Sequence, residues 1–518
     1  MKNLRKKWLM QLFKRRVILA LLIIIQFAIF GFVVNQSMAY SIFLETVFTI
    51  LSIGVALHVV WKKGKEAYKI TWILQVLIFP VYGTLFYLIF NRQTQTKKLQ
   101  AKLEQIYQVH FSFAGHEEQV LNEAKTDFPH HGRLMHFLTY AGVFPVYDHT
   151  ETAYYPIGES YFEAMQEAIS KAESYIFFEF FIVAEGKMWE KLLDLLVEKA
   201  EQGVDVRVMY DDIGSFVTLP SDMKEQLEEK GISCRVYNPF HPIITSSQNN
   251  RDHRKILSID GKVAFTGGIN IADEYINEIE RFGHWKDNGI KLTGKGAWGL
   301  TLIFLQLWQS MDDHIDTEDL KSLKPVNWET STSEAHSTHY VQPFSDSPTD
   351  KKNFGEHVLI KMIHAAKESV CIYTPYLILD ENLETALILA AESGIDVKII
   401  TPKKWDKYLV HMTTRSYYSE LIEAGISIYE YTPGFMHAKT VLVDDEVALV
   451  GTINFDYRSL YLHFENAVML FGGTIMHDIR KDFDETIRSS ELMTDQTVNQ
   501  SPVSRLTQSV LRLFAPLM

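Results

Sequence analysis

The feature that most limits the possible folds of this chain is a sequence motif that occurs twice. The segment RDHRKILSIDGKVAFTGGIN begins at Arg251, and MHAKTVLVDDEVALVGTIN begins at Met436. Both place a His, a Lys, an Asp, a Gly and an Asn in the same order. These residues are His253, Lys255, Asp260, Gly267 and Asn270 in the first copy, and His437, Lys439, Asp444, Gly451 and Asn454 in the second. A chain with two such copies is expected to fold into two similar halves.

The duplication extends beyond this motif. KAEQGVDVRVMY from Lys199 matches AAESGIDVKIIT from Ala390, and each copy places a β-branched strand after a helical segment and a Gly turn. Strands that alternate with helices predict α/β layers with buried parallel strands. The two halves are predicted at 132–320 and 351–490. A segment rich in Ser, Thr, Pro and Asp, 321–350, is predicted to connect them.

Long apolar segments dominate the N-terminal part of the chain. After a basic segment, the predicted membrane region contains three of them. The ranges are 1–16 for the basic segment, 17–92 for the membrane region, and 17–34, 43–61 and 70–90 for the hydrophobic segments. A helix needs about 20 apolar residues to cross a bilayer. Because the first segment exceeds the usual length of a signal-peptide core, uncleaved transmembrane helices are predicted.

The number of membrane crossings stays open at this stage. The third segment contains Pro80 and Gly83, so it is either a third span or a kinked interfacial segment. Basic loops prefer the cytoplasm, so two spans would place the large domain inside and three would place it outside.

Composition narrows the range of partners and cofactors. The formal net charge is −13 at pH 7, which argues against a nucleic-acid partner because nucleic-acid-binding proteins usually carry a basic face. Cys234 and Cys371 are the only cysteines, so neither a disulfide framework nor a zinc site built on thiolates is expected.

A linker is predicted at 93–131. The C-terminal tail, 491–518, ends in an amphipathic helix that would lie either on lipid or on the protein's own core.

The spacing inside the repeated motif predicts different roles for its His–Lys pairs and for its Asp residues. Residues two apart on a strand point to the same face, so each His and the Lys that follows it are predicted to act together. Asp260 lies seven residues after His253, and it begins a DG turn signal, so the two Asp residues are predicted mainly to fix turns. Asp287 in HWKD and Glu465 in HFEN are better candidates for orienting the imidazoles. Each of them follows the His–Lys hairpin of its own half.

The remaining motif residues suggest a phosphate site. Gly267, Gly268 and Gly451 are predicted to let a backbone approach a bulky ligand, and Asn270 and Asn454 can donate hydrogen bonds to its oxygens. Two Lys and two His that converge with these Asn residues fit an anionic tetrahedral centre, with the cations in the place of a divalent metal. No metal and no other cofactor is predicted.

These residue types predict a two-step displacement at phosphorus. A neutral imidazole attacks to form a phosphohistidine, and a protonated imidazole donates to the leaving oxygen and later deprotonates the acceptor. We favour His253 as nucleophile and His437 as acid/base. A single H-x-K match would more often be a structural histidine, but two matches in a duplication favour a shared site. Metal binding ranks lower, because carboxylate and thiolate partners at the usual spacings are missing.

The chain resembles the phospholipase D superfamily, whose signature is a double H-x-K-x4-D motif. Within it, NNRDHRKILSIDGKVAFTGGINIADEY, HWKD, YTPYLILDENLETAL and GTINFDYRSLYLHFEN resemble bacterial cardiolipin synthases, as do the N-terminal apolar segments and the RLFAPLM ending. The resemblance covers nearly the whole chain and places Asp260 and Asp444 in the catalytic motif. GTIN, where versions like GSAN are common, and a third apolar segment are mild departures.

The resemblance implies two α/β sandwich halves that meet at a pseudo-twofold seam holding the active site. It also implies a multi-pass protein of the bacterial cell membrane that transfers a phosphatidyl group between two phosphatidylglycerol molecules, giving cardiolipin and glycerol. Hydrolysis by water, as in a phospholipase D, is the nearest alternative, and a non-catalytic membrane scaffold is the second. The sequence does not predict the oligomeric state.

Overall fold

The computed structural model describes most of the chain. The described ranges are 41–62, 65–78, 83–84, 87–88, 94–240, 246–325, 338–350, 352–498 and 502–517. The described residues form two compact units, one within 1–93 and 240–248 and the other within 94–239 and 249–518. The predicted segments 1–16 and 17–34 lie outside the described residues.

The smaller unit contains helices α1 (Ser41–Trp61) and α2 (Glu66–Ile78). They pack through a small apolar cluster that includes Val55, Val59 and Val76. The predicted segment 43–61 lies within α1, and α2 ends two residues before Pro80, as expected where a proline follows. In the part of the chain that the structure describes, no helix combines the length and the apolarity that crossing a membrane requires.

The larger unit begins with helices that precede the first strand, and further helices alternate with its strands. They are α3 (Thr94–Phe113), α4 (Glu118–Asp127), α5 (Gly132–Ala141), α6 (Gly158–Ser170), α7 (Lys187–Glu201), α8 (Asp212–Ser215), α9 (Met223–Glu229), α10 (Lys295–Ser310), α11 (Thr317–Leu323), α12 (Phe354–Ala365), α13 (Glu381–Glu392), α14 (Tyr408–Arg415), α15 (Tyr418–Glu423), α16 (Tyr457–Tyr461), α17 (Ile475–Arg488), α18 (Asp495–Val498) and α19 (Pro502–Phe514). Short 3-10 helices are Ser246–Asn249, Asp273–Ile276 and Ala515–Leu517.

The strands fall into a first and a second set. The first set is β1 (Thr150–Tyr155), β2 (Tyr175–Phe180), β3 (Asp205–Asp211), β4 (Ser233–Tyr237), β5 (Arg251–Asp252), β6 (Lys255–Ile259), β7 (Val263–Gly267), β8 (His284–Lys286) and β9 (Gly289–Gly294). The second set is β10 (Tyr340–Asp346), β11 (Ser369–Tyr373), β12 (Asp396–Pro402), β13 (Ser427–Tyr431), β14 (Gly434–Met436), β15 (Thr440–Val443), β16 (Val447–Gly451), β17 (His463–Phe471) and β18 (Ser490–Leu492).

Seven corresponding strands have the same order in the two sheets, as the duplication predicts, and β18 is an additional strand of the second sheet. The first sheet has the order β1-β9-β7-β6-β2-β3-β4, and the second has the order β10-β17-β16-β15-β11-β12-β13-β18. In each, three neighbouring strands are parallel, and an antiparallel group continues the sheet from the first of them. The sheets meet where β7 and β9 contact β16 and β17. The predicted α/β fold with two related halves is therefore confirmed.

Local patterns explain these elements. β2 reads YIFFEF and is buried along its whole length, as expected of a central strand covered on both faces. On α7, Met188, Leu192 and Leu196 recur at a spacing of four residues and pack on the sheet. Helix α10 is buried along its length after Lys295, and it contacts both β7 and β10. It is therefore an inner helix shared by the two halves.

Two predicted connecting segments are corrected by the structure. The supposed linker 93–131 contains α3 and α4, and the buried side chains of Leu103 and Ile106 anchor α3 beside α10. The predicted connector 321–350 contains β10, which pairs with β17 along its full length. Its polar composition predicted a connector, but the seven-residue segment YVQPFSD, with its aromatic and polar members, is also compatible with an edge strand. Residues 326–337 of the connector lie outside the described residues.

The C-terminal helix α19 lies on the second half through its basic face. Arg512 donates to Glu420 at 2.9 Å and to Glu384 at 2.5 Å. Leu506 and Val510 of the same helix remain exposed. The polar face therefore contacts the protein while these apolar side chains face outward, and the interpretation that the helix lies on lipid stays a prediction.

Candidate active site

Each motif histidine follows a very short strand that reaches across to the other half. β5, just before His253, pairs in parallel with the start of β17. β14, just before His437, pairs in parallel with β8. The main-chain N–H of His253 donates to the carbonyl of Phe464 at 2.9 Å, and that of His437 donates to the carbonyl of Lys286 at 2.7 Å. The two histidines are thus held at the seam by equivalent cross-half contacts.

These contacts place each imidazole on a carboxylate from the opposite half. Nδ1 of His253 lies 2.9 Å from Oε2 and 3.0 Å from Oε1 of Glu465. Nδ1 of His437 lies 2.7 Å from Oδ2 of Asp287. Both carboxylates are fully buried and both histidines are nearly so. Although each carboxylate follows the hairpin of its own half in sequence, the pairing is crossed in space.

The two lysines lie beside their own histidines. Nζ of Lys255 donates to the carbonyl of His253 at 2.7 Å, and Nζ of Lys439 donates to the carbonyl of His437. Both lysines are fully buried. Nζ of Lys439 also lies 2.9 Å from Nδ1 of His437, whose proton we assign to the bond with Asp287. Lys255 also lies close enough to lower the pKa of His437 and of Lys439, so the His and Lys members of both copies share one site.

Burial sets the protonation of the imidazoles. It lowers the pKa of His253 to about 3 and that of His437 to about 4, although the paired carboxylates oppose the shift. Burial alone would raise the pKa of Glu465 and of Asp287, but the imidazoles and nearby cations outweigh it and hold both below their usual values. Neutral imidazoles that donate Nδ1–H to carboxylates present Nε2 as a base or nucleophile.

Burial acts on the lysines in the same direction. It lowers the pKa of Lys255 to about 8 and that of Lys439 to about 7, against the opposing pull of Glu465 and Asp287. Both lysines therefore hold their protons less tightly than an exposed lysine does, and a bound anion would favour their charged form.

The two predicted Asn residues have different environments. Oδ1 of Asn270 accepts from the N–H of Ile182 at 3.0 Å, and its amide donates to the hydroxyl of Tyr275 at 2.8 Å. The side-chain oxygen of Asn454 is buried and has no hydrogen-bond partner among the described residues. Asn270 therefore braces the protein, while Asn454 keeps one polar atom available.

The motif glycines allow close packing within the protein, and the approach of a ligand to them stays a prediction. A Cβ on Gly267 would lie 2.3 Å from the carbonyl oxygen of Asn288, and one on Gly268 would lie 2.1 Å from Oδ1 of Asp287. A Cβ on Gly451 would lie 2.4 Å from the carbonyl oxygen of Asn466. These glycines are required by the neighbouring strand that carries the carboxylate.

The structure does not bring the motif aspartates to the imidazoles. Asp260 accepts from the backbone N–H groups of Glu173, Ser174 and Tyr175 at 2.8–3.0 Å. Asp444 accepts in the same way from residues 367–369. Both have positive φ, 53° and 56°, in the turn after the strand that follows each histidine. Their place in the catalytic motif is corrected to a structural role, as their odd spacing indicated.

Replacing Asp260 by Ala is expected to destabilise the fold and spare the chemistry. The change removes three accepted hydrogen bonds and strains a positive-φ position, so a loss of about 2–4 kcal/mol in the free energy of unfolding is expected. Urea unfolding of the detergent-solubilised chain measures this loss. The turnover per folded molecule should stay within about twofold, and the exposed Asp484→Ala is the matched control. A large loss of turnover with unchanged stability would return Asp260 to the catalytic site.

Several site residues were not found from the sequence. Asn288 donates to the hydroxyl of Thr440 at 2.8 Å, and Asn466 donates to that of Thr266 at 2.8 Å, so both bridge the halves. Each follows a site carboxylate directly, and this repeated acid–Asn pair was the available signal. The hydroxyls of Thr452 and Ser459 also donate to Glu465, and His463 lies beside it; these carried no repeated pattern.

Comparison with known families supports this architecture. A family described as "Cardiolipin synthase, PLD-like domain" matches residues 165–280 and 359–487, and one described as "Phospholipase_D-nuclease N-terminal" matches 50–92. The crystal structure of phosphatidylserine synthase from Haemophilus influenzae is similar with a TM-score of 0.56 at 16% identity. The similarity covers 75% of this chain and 98% of that one. Each of the first two ranges contains one His–Lys pair, so fold and site define a two-half phospholipase D-like protein.

Individual relatives narrow the class. An uncharacterized protein of Streptococcus mutans serotype c is 43% identical over 90% of this chain and 100% of its own length. A cardiolipin synthase of Geobacillus sp. is 35% identical over 90% of this chain and 91% of its own. Cardiolipin synthase 2 of Bacillus anthracis is 34% identical over 91% of each. The chain belongs to the cardiolipin synthase family.

Proposed function

We propose that the protein is a phosphatidyltransferase that joins two phosphatidylglycerol molecules into cardiolipin and releases glycerol. The single observation that carries this function is the pair of crossed imidazole–carboxylate contacts with both lysines in one buried site. Such a site has two imidazoles to divide between nucleophile and acid/base, and two ammonium groups for a phosphodiester. The cardiolipin synthase relatives supply the substrate class.

The reaction proceeds in two displacements at one phosphorus. Nε2 of His253 attacks phosphorus, the bond from phosphorus to the glycerol oxygen breaks, and His437 in its protonated form gives that oxygen a proton. The headgroup hydroxyl of the second phosphatidylglycerol then loses its proton to His437 and attacks phosphorus. The P–N bond breaks, which yields cardiolipin and restores both imidazoles. Binding of the anionic phosphodiester favours the imidazolium form that the first step needs.

The neighbouring groups hold this chemistry in place. Glu465 and Asp287 fix the Nδ1–H tautomers and stabilise the imidazolium forms. Lys255 and Lys439 supply positive charge toward the phosphoryl oxygens, and the free side-chain oxygen of Asn454 can accept a hydrogen bond from a substrate hydroxyl. The step as written needs no metal ion.

A product assay tests the function. The full chain in detergent micelles is given phosphatidylglycerol labelled in both its acyl and headgroup glycerol parts. Labelled cardiolipin together with free glycerol in equal amounts is the expected result. Phosphatidic acid as the main product would replace the transferase by a hydrolase, and no consumption of lipid would support a scaffold.

The lysines predict a pH dependence in the free enzyme. An ammonium is charged below its pKa, so affinity for the phosphodiester is expected to fall as the pH rises from about 7 to about 8, through the pKa values of Lys439 and Lys255. kcat/KM reports groups of the free enzyme and should show this alkaline limb. kcat reports groups of the enzyme–substrate complex. In that complex the bound anion keeps both lysines protonated, so the alkaline limb of the kcat profile should lie at higher pH than that of kcat/KM. Coincident limbs, or a flat kcat/KM between pH 6 and 9, would contradict the assignment.

We also propose that the protein is a multi-pass membrane protein and works at the bilayer surface. Support comes from the apolar segment 17–34 and from exposed apolar side chains on α1, including Ile50, Leu57 and Trp61. The match of 50–92 to a family N-terminal region agrees with this. Because both substrates are diacyl lipids, a membrane-held site raises their local concentration.

Exposed apolar side chains near the site fit the same proposal. Trp405, Tyr408 and Leu409 are exposed in the loop and helix that follow β12. β12 and β15 flank β11, whose last residue, Tyr373, pairs with Thr440, the residue that follows Lys439. This loop therefore lies at the same sheet edge as the site, and α14 contacts α19 with its exposed leucines. Aromatic side chains of this kind are typical of membrane interfaces.

The boundaries of the halves are proposed from the strands. We place the start of the first half at β1 and that of the second at β10, in place of 132 and 351. The reason is that α5, at the start of the predicted first half, contacts α12 and β10 of the second.

A further inference from the structure

A third imidazole, that of His463, lies beside His253. His463 precedes Glu465 by two residues on β17, and its ring centroid lies 5.4 Å from that of His253. Only 9% of its surface is exposed. Its Nδ1 is 3.6 Å from Oε1 of Glu465, and neither ring nitrogen has a hydrogen-bond partner among the described residues. A buried imidazole without partners is costly unless a ligand uses its nitrogens.

Among the described residues, no such third imidazole lies beside His437 in the other half of the site. Trp285 precedes Asp287 by two residues, and its ring centroid lies 5.4 Å from that of His437. An indole occupies the place that corresponds to His463, and an indole N–H cannot ligate a cation. The two crossed pairs are therefore chemically unequal, and only the pair containing His253 has an additional nitrogen donor.

We propose that His253, His463 and Glu465 form a binding site for Zn²⁺. One donor atom from each of these residues lies within 4.8 Å of the other two. Two imidazoles and one carboxylate are a donor set that suits Zn²⁺ and leaves a fourth position open. Spacing along one segment disfavours a metal site, but Glu465 and His253 come from opposite halves of the chain and meet only in the folded structure.

The residues around these three ligands influence which metal ion the site binds and how tightly. The hydroxyls of Thr452 and Ser459 donate to Glu465 and fix its orientation, as groups around a metal ligand commonly do. Mg²⁺ prefers an octahedron of oxygen atoms and should bind poorly to two nitrogens and one carboxylate. The ammonium of Lys255 lies close to His253 and opposes any cation, so we expect reversible binding.

Metal binding is expected to inhibit the enzyme. The ion takes the place of the proton on Nδ1 of His253, and that proton moves through solvent to Nε2, so the imidazole stays neutral. An imidazole protonated at Nε2 can neither attack phosphorus nor accept a proton, so inhibition follows whichever step uses His253. Inhibition rests on the proposed function, but binding of the ion does not.

The experiment uses the full chain in detergent micelles after treatment with a chelator. ZnCl₂ binding is measured by equilibrium dialysis with metal analysis, and cardiolipin formation is measured over the same ZnCl₂ range, with MgCl₂ as the control ion. His463→Asn removes the third donor and keeps a polar side chain. His284→Asn is the matched control, because His284 is a histidine at the start of β8 in the other half.

The expected result is one Zn²⁺ site per chain that is weakened at least about tenfold by His463→Asn and unchanged in His284→Asn. The inhibition constant, expressed relative to the uninhibited rate of each variant, should shift by the same factor. Equal Zn²⁺ binding by the wild type and His463→Asn would overturn the proposal. If His463→Asn lost Zn²⁺ binding but no sample, including the wild type, formed cardiolipin, the metal site would be retained and only the proposed reaction would be rejected.

Discussion

Replacing His253 by Asn is expected to abolish cardiolipin formation, lowering kcat on the order of 10⁴- to 10⁶-fold. Asn cannot form the P–N bond, and His463, the other imidazole on that side of the described site, makes no hydrogen bond that would fix its tautomer as Glu465 fixes that of His253. His437→Asn is expected to lower kcat by a similar factor, because it removes proton transfer from both displacements. His284→Asn is the control for a general effect of losing a histidine, and circular dichroism verifies the fold of each variant.

An activated donor separates the two histidines. Phosphatidyl-p-nitrophenol has a leaving group that needs no proton, so the first displacement can proceed without His437. His437→Asn is then expected to release one nitrophenolate per chain in a burst and to retain the phosphatidyl group on His253. His253→Asn should give no burst. The reverse pattern would make His437 the nucleophile, and a burst in neither variant would exclude a covalent intermediate.

The sequence predicts the duplication and the shared site because both have a local signature. The His–Lys pairs share one strand face, and the positive-φ turns at Asp260 and Asp444 are encoded by a few neighbouring residues. The sheets follow from the alternation of helices and β-branched strands. Each of these features depends on residues close together in the chain, so pattern and spacing are sufficient to predict them.

The crossing of the carboxylates could not be predicted in the same way. It depends on β5 and β14, strands of two and three residues that pair with β17 and β8 of the other half. Strands this short have no periodicity, and their pairing depends on how two sheets pack. His463 was missed for the same reason, since its importance comes from a residue of the other half.

The crossed contacts make Glu465→Gln and Asp287→Asn affect different steps. Both changes keep the shape of the side chain and remove the charge that fixes the imidazole tautomer, so each is expected to lower kcat for cardiolipin formation on the order of 10²- to 10⁴-fold. Glu465 contacts His253, so Glu465→Gln should suppress the rate of the nitrophenolate burst. Asp287 contacts His437, so Asp287→Asn should leave that burst nearly intact and slow the transfer to the acceptor.

Rapid-mixing measurement of the burst, followed by acceptor addition, resolves the two steps. Glu430→Gln is the matched control, because Glu430 is an equally buried carboxylate of the second half that pairs with Arg415 and with no histidine of the site. If each carboxylate acted on the histidine of its own half, the two variants would exchange their effects. Adding Glu465→Gln to His253→Asn should cause little further loss, because residues that act as a unit are not additive. A full additional loss in that double variant would show that Glu465 acts on the reaction independently of His253.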